Sequence, residues 1–481
     1  MSSRPRLVVA GGGGFIGRAL CDALADRYDV TVLTRSPTKS RATIRGQPTS
    51  LYCDLFEPRQ VESALRGFDH AVYLVSNVVP SARLSQARCR DMDVLVADIF
   101  GRAAAAAGIR QIVHLGLLVP EGDVPPDLIA IREEVPAALG AHGVAVTTLR
   151  AGLIVGPGGS LIRLVADMAT RLPVILLPRW ANGRKHPIAL PDVIRAIVRV
   201  LEAPELRGGS YDLGGPRILD VRTILRRASI LFDHKRPVWM VPLVPPALFR
   251  AWARVLSPST HPDIIRRTVD ALRFDTVARD NPLQRAIVRD ASPPRWALRR
   301  SPDSPRREVS PSPRAAHQRD DDRVMRTERP VRSIQRLPLP PGRDARWTAE
   351  HYFAWLPRFF LHTIRTTRTP QGDVRFVSRF PSIDLLRMRY LPDRSSSDRM
   401  VYVIEGGLLA QAVASRSARL EFREVLDGRA VLAAIHDYRP SLPWRLYVLT
   451  QAVVHLLAMK TYAWHLAVVA RRERGGSSSN G

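Results

Sequence analysis

Through the first third of the chain, short apolar runs alternate with amphipathic stretches of helical period. The run at 7–10 reads as a buried strand and 15–25 as a helix. Further strands read at 30–34, 51–54, 71–76, 111–115 and 146–149, with helices at 60–65, 91–107 and 133–139 between them. This alternation predicts an α/β fold, a doubly wound parallel sheet of Rossmann type, whose ligand edge carries the loops that follow the strands. From 160 to 281 the pattern is mixed. Helices at 162–170, 192–201, 221–231 and 247–256, with extended pieces at 174–177, 187–190 and 211–213, suggest a small substrate lobe. Asp192 stands where it would cap its helix.

The pattern changes twice more. Between 291 and 343 Pro, Ser, Arg and Asp dominate and large apolar residues thin out, so 286–345 reads as a disordered basic linker after a first domain at 1–285. A helix at 348–358 is then followed by strand-like runs at 375–380, 385–390, 400–404, 419–425 and 429–438, and by one long apolar helix at 444–470. Antiparallel strands closing around a terminal helix predict an α+β, helix-grip-like domain over 346–472, with a disordered tail at 473–481. The terminal helix is long enough to span a bilayer. Arg445, Gln451, His455, Lys460 and His465 interrupt it, however, and a central cation costs ~2.5–3.5 kcal/mol there. A helix buried along one face against a sheet fits better and leaves peripheral membrane contact open.

Charge changes this picture less than its size suggests. Seventy-two Lys and Arg against 45 Asp and Glu give a net charge of +27, yet Lys39, Lys185, Lys235 and Lys460 are the only lysines. So strong an arginine bias, with abundant Ala, Val, Pro and Leu, points to genome composition. The positive charge is scattered, not gathered in a stripe, which argues against a nucleic-acid partner. Cys21, Cys53 and Cys89 have no metal-ligand spacing and are odd in number, as for reduced thiols of a cytoplasmic protein. No metal site is expected.

The candidate chemistry sits at the strand ends. Gly11, Gly12, Gly13, Gly14 and Gly17 lie between the first strand and the first helix, where free backbone N–H groups and the helix dipole suit a pyrophosphate. Arg35 ends the second strand, where an NAD-specific protein usually carries an acid for the ribose 2′-OH. A cation there, with Lys39 and Arg18 near in sequence, suits the 2′-phosphate of NADP, with NAD as the alternative. Asp54 follows the third strand, within reach of an adenine amino group, and Ser76 and Asn77 leave the fourth near the nicotinamide ribose. Trp180, Trp239, Phe249 and Trp252 would suit an apolar ligand, but an ordinary core accounts for them better.

Several ordered motifs resemble one family. GGGGFIG at 11–17, CDL at 53–55, AVYLVSN at 71–77, IVHLG at 112–116 and LRAGLIVGPGG at 149–159 are similar to the atypical and extended short-chain dehydrogenase/reductases, in their NmrA-like and epimerase-like branch. The region from 347 resembles, more loosely, the polyketide-cyclase or START-like modules. The resemblance implies a glycine register of Gly11, Gly14 and Gly17. It implies a cofactor site completed by Phe15, Ile16, Arg35, Asp54, Leu55 and Ser76. It also implies a catalytic Ser, Tyr and Lys, and these are missing: their positions fall on Gly116, Leu128 and Arg132. Arginine does not replace a pKa-tuned lysine. Arg132, Glu133, Glu134, Lys185, His186 and His114 are the remaining candidates, none assigned a catalytic role. Two readings stand. One is an NAD(P)H-binding oxidoreductase-like protein acting on an apolar carbonyl or quinone-like compound. The other is a non-enzymatic NADP(H)-binding, redox-sensing protein whose C-terminal domain takes an apolar ligand or partner.

Overall fold

The computed structural model describes residues 4–35, 48–76, 82–118, 120, 126–156, 171–231, 236–256, 262–291, 331–411 and 418–477. The helix expected at 162–170, Lys39, Asn77, linker residues 292–330 and tail residues 478–481 lie outside them. The chain forms two compact units, one of residues 1–79 and 96–312, the other of 80–95 and 313–481.

The first unit is built on β1 (Arg6–Ala10), α1 (Phe15–Leu24), β2 (Asp29–Thr34), β3 (Thr49–Tyr52), α2 (Pro58–Ala64) and β4 (His70–Tyr73). After a strand that joins the other unit, β5 (Leu84–Ala87), come α3 (Cys89–Ala106), β6 (Gln111–Leu117), α4 (Pro126–Gly140), β7 (Val146–Ala151), α5 (Leu190–Glu202) and β8 (Ser210–Leu213). Seven strands pair in parallel in the order β8-β7-β6-β4-β1-β2-β3. Leu7, Val8, Val9 and Ala10 of β1 are wholly buried, as a central strand covered on both faces requires. On one face α1 and α5 supply Leu20, Leu24, Val193 and Ile197 to the core with Val9, Val72, Val113 and Leu149. The chain winds outward from β1 through β2 to β3, then returns to place β4 on its other side. That reversal opens the crevice in which doubly wound folds bind ligands.

Asp192 does not cap α5. The helix starts from Ala189 with Pro191 in its first turn, and Asp192 is buried inside that turn with Oδ1 2.8 Å from Arg195. Proline, preset for the first helical turn, moves the start ahead of the aspartate. The lobe helices are α6 (Val221–Leu231), α7 (Pro246–Leu256), α8 (Pro262–Ala271) and α9 (Pro282–Arg289).

The second unit is a mixed sheet packed against three helices. Its strands are β9 (Val331–Pro338), β10 (Ile364–Arg368), β11 (Val374–Ser378), β12 (Asp384–Tyr390), β13 (Arg399–Gly406), β14 (Arg419–Val425) and β15 (Ala430–Tyr438). α10 (Ala345–Phe359) separates β9 from β10, and α11 (Trp444–Leu449) and α12 (Gln451–Ser477) follow β15. The order is β10-β11-β12-β13-β14-β15-β9-β5, antiparallel except for the β9–β5 pair. The core joins Tyr402, Phe422 and Val431 to Phe353 and Leu356 of α10 and Met459, Tyr462 and Leu466 of α12.

Three boundaries differ from the sequence expectation. Residues 80–95 belong to this unit although they lie inside the expected first domain. α9 and β9 occupy the described ends of the expected linker, and α12 runs into the expected tail. The single helix expected at 444–470 is broken at Thr450, which leaves helical geometry at φ −119°, ψ −81°.

Burial in this unit sets its response to acid. His455 and His436 are held neutral because burial disfavours the imidazolium, which pushes His455 down to about 4 and His436 well below its ordinary value of 6.5. Below pH 6.5 the unfolded chain takes up protons that the folded one refuses until much lower pH, so stability falls across that window. Chemical denaturation followed between pH 7 and pH 4 is expected to show that loss, and His455→Gln to flatten it.

Candidate dinucleotide site

The turn between β1 and α1 lies at the winding reversal. The Gly14 N–H donates to the Gly11 carbonyl at 3.1 Å, closing the turn, and Gly14 then stands as N-cap of α1. The first-turn N–H groups of Phe15, Ile16 and Gly17 have no acceptor within the helix, and no acidic side chain occupies that turn. Backbone donors and the positive end of the helix dipole therefore meet at one point, suited to an anion.

Sterics decide which glycines this turn needs. Gly11 has φ +87°, and a Cβ there would come within 3.0 Å of the Leu74 backbone, just beyond β4. At Gly17 it would lie 2.6 Å from the Gly11 carbonyl oxygen and 2.7 Å from the Gly12 carbonyl carbon. Gly12, which reads as filler in the Gly11-Gly14-Gly17 register, is tight as well: its Cβ would meet the Val32 methyls at 2.8 Å. Gly13 is open, and Gly14 would meet only the Gly11 oxygen, at 3.2 Å. The packing of β2 against the turn, invisible in the motif, makes Gly12 a required glycine.

Around the turn, Arg35 directly follows β2 and is half-buried, while Arg18 is exposed with Nε donating to the Gly14 carbonyl at 3.3 Å. Asp54 is wholly buried, and its Oδ1 accepts the Phe56 N–H at 3.3 Å, while its own N–H donates to Gln60 Oε1. The carboxylate thus helps hold the turn ahead of α2. Leu55 is buried beside it, and Ser76 is exposed two residues beyond Leu74.

The candidate proton-transfer groups are mostly spent on structure. Lys185 Nζ donates to the Ala271 and Phe274 carbonyls, and burial lowers its pKa to about 8. His186 Nε2 meets the Gly215 carbonyl at 2.6 Å, and its Nδ1 accepts the Ala278 N–H. Arg132 lies 3.5 Å from Glu133, itself 64% exposed, and Asp212 bridges Arg150 and Arg279 at the ends of β7 and β8. The Leu128 side chain lies outside the described residues. His114 differs. It is buried on β6, its Nδ1 has no hydrogen-bond partner among the described residues, and its Cε1 lies 3.2 Å from where a Gly116 Cβ would stand. Burial keeps this imidazole neutral, with a pKa lowered to about 4. Among the described residues it is the side chain nearest to Gly116.

Of the expected apolar lining, Trp180, Phe249 and Trp252 pack on one another, with ring centroids 5.8 and 5.5 Å apart, and Trp239 is 60% exposed. Cys21, Cys53 and Cys89 are free thiols; burial pushes Cys21 and Cys53 up to about 12, so they stay protonated.

Residues 11–152 match a family model described as NAD(P)H-binding. Among curated proteins, the auxiliary protein GraX of Staphylococcus aureus is 30% identical over 112 residues, which are 23% of this chain and 36% of that protein. The chain thus spans about a third of that relative's length. A (4-alkanoyl-5-oxo-2,5-dihydrofuran-3-yl)methyl phosphate reductase of Streptomyces griseus is 28% identical over 225 residues, 45% of this chain and 70% of that one. Among solved structures, a nucleoside-diphosphate-sugar epimerase from Staphylococcus aureus aligns with a TM-score of 0.50 at 16% identity, covering 61% of this chain and all of that one. At that identity the likeness concerns the fold alone. Sheet order, glycine turn and family match agree: the first unit is an NAD(P)H-binding, Rossmann-type domain.

Proposed function

We propose that the protein is an NADP(H)-dependent, reductase-like oxidoreductase acting on an apolar carbonyl or quinone-like compound. The carrying observation is the turn in which a Cβ at Gly11, Gly12 or Gly17 would clash and three first-turn N–H groups have no acceptor within the helix. The reductase named among its relatives supports the class of reaction. Arg35 beside the β2 end favours the 2′-phosphate, with Gly11, Gly14, Phe15, Ile16 and Gly17 on the pyrophosphate. Hydride transfer itself belongs to the cofactor; the chain binds and orients it. We further propose that the second unit is a helix-grip-like module for an apolar ligand. Its order of strand, helix, six-stranded meander and long helix, with β9 closing beside β15, supports that reading.

One observation favours the second reading, a non-enzymatic dinucleotide-binding protein: Gly116 leaves no hydroxyl where the resemblance calls for a catalytic serine. NADPH fluorescence titration followed by NADPH oxidation against apolar ketones and quinones separates the two. Binding with turnover supports the reductase; binding with silence across the panel supports the binder, and no binding sinks both. Arg35→Asp is expected to shift preference from NADPH to NADH, read as the ratio of the two dissociation constants. An unchanged ratio would remove Arg35 from the site.

A further inference from the structure

The terminal helices carry two apolar faces, and among the described residues only one has a partner. Tyr447, Ala452, Ala458, Met459, Tyr462, Leu466 and Ala470 are buried, most of them in the core beneath the sheet. Tyr462 OH donates to the Thr348 carbonyl at 2.8 Å, and His455 Nε2 lies 3.1 Å from Ser333 Oγ, so this face is committed to β9 and α10. The opposite face should be polar in an ordinary soluble domain. It holds instead Leu446, Leu449, Val453, Leu457 and Trp464, which are 48, 75, 54, 56 and 67% exposed. On α12 the positions 453, 457 and 464 fall on one helical stripe, spaced four and seven apart. The stretch Trp444–Glu473 is apolar enough to cross a membrane, yet only 28% of its most apolar window is buried.

Charge says what covers the stripe. Arg445, Lys460, Arg471 and Arg472 are all exposed along these two helices. The sole acid from 444 to 473 is Glu473, which is half-buried and 3.2 Å from Arg343. An apolar stripe edged by cations, with a tryptophan within it, matches the interface of an anionic bilayer. Spanning is opposed by the other face, whose hydrogen bonds to the sheet would have to break, and by Lys460 within the stripe.

We propose that α11 and α12 lie flat on an anionic lipid surface, with Leu449, Val453, Leu457 and Trp464 entering the headgroup boundary and Lys460, Arg471 and Arg472 meeting lipid phosphates. The proposal is independent of the dinucleotide reading. The test is co-sedimentation of the full chain with vesicles of phosphatidylcholine alone or mixed with phosphatidylglycerol. Binding is expected to the mixed vesicles and to weaken as salt is raised. Arg471→Gln should weaken it about fivefold, one cation's share of surface attraction, and Leu457→Ser about tenfold, the burial of one leucine. Both substituted side chains point away from the core, so thermal unfolding should be unchanged and serves as the folding control. Equal binding to both vesicle types, or no binding, overturns the proposal. So does a concentration-dependent dimer abolished by Leu457→Ser, which would assign the stripe to a second copy. Resistance to an alkaline carbonate wash would assign it to a spanning helix and also overturn it.

Discussion

Gly17→Ala is expected to abolish NADPH binding and to destabilise the first unit, whereas Gly13→Ala should leave both nearly unchanged. The added methyl at 17 would stand 2.6 Å from one backbone carbonyl oxygen and 2.7 Å from the next carbonyl carbon. No side-chain rotation relieves that overlap, because the obstructing atoms are main chain. Either α1 moves off the turn or the turn opens, and both withdraw the N–H groups of Phe15 and Ile16 from the crevice. Overpacking of this kind costs about 1–3 kcal/mol or more. At Gly13 none of the described residues lies within 4 Å, so the same methyl meets none of them. Fluorescence titration with NADPH and denaturant unfolding read the two effects separately. Near-normal binding by the Gly17 variant would show that the dinucleotide does not use this turn.

In the second unit the largest effect is expected from Glu421→Gln. Glu421 is wholly buried on β14, with Oε1 2.8 Å from Arg399 and 2.7 Å from Arg423, and Oε2 3.6 Å from Arg419. Burial by itself would push this carboxyl up; the three guanidiniums outweigh it and hold the group well below its ordinary value of 4.5. Because the folded-state pKa is the lower one, Glu421 adds stability above pH 4.5 and loses it only as pH falls toward the depressed value. Glutamine keeps the shape but leaves the guanidiniums without the charge they share. Breaking a buried ion pair from one side typically costs about 3–5 kcal/mol. Glu405→Gln, on an exposed pair with Arg389 at 2.8 Å, should cost less than about 1 kcal/mol. Urea unfolding of the two variants at neutral pH makes the comparison. Equal losses would show that the buried cluster is not what holds β13 to β14.

The inner strands β1, β2, β4 and β6 were legible because each is an apolar run short enough to be buried on both faces and bounded by loop residues. The glycine turn was legible because only glycine tolerates backbone packed on backbone. Gly12 was not, since the obstacle is Val32, twenty positions on and brought near only by the β1–β2 pairing. Nor was β5: the run Leu84-Ser-Gln-Ala shows no alternation, and it is a strand because β9 offers an open edge some 250 residues later. The start of α5 was misplaced because an aspartate near a helix start resembles a cap until a preceding proline is seen to occupy the first turn.

The amino-acid sequence alone determined the fold class of the first unit, its glycine-rich turn between β1 and α1, and the absence of the serine, tyrosine and lysine its resemblance calls for. Those features depend on neighbours close along the chain, or on single residue identities. Tertiary structure alone decided which glycines are sterically required, that Lys185 and His186 are tied to backbone while His114 Nδ1 stays uncommitted, and which face of α12 is covered. Each of these depends on side chains from distant segments meeting in space, which local periodicity cannot specify.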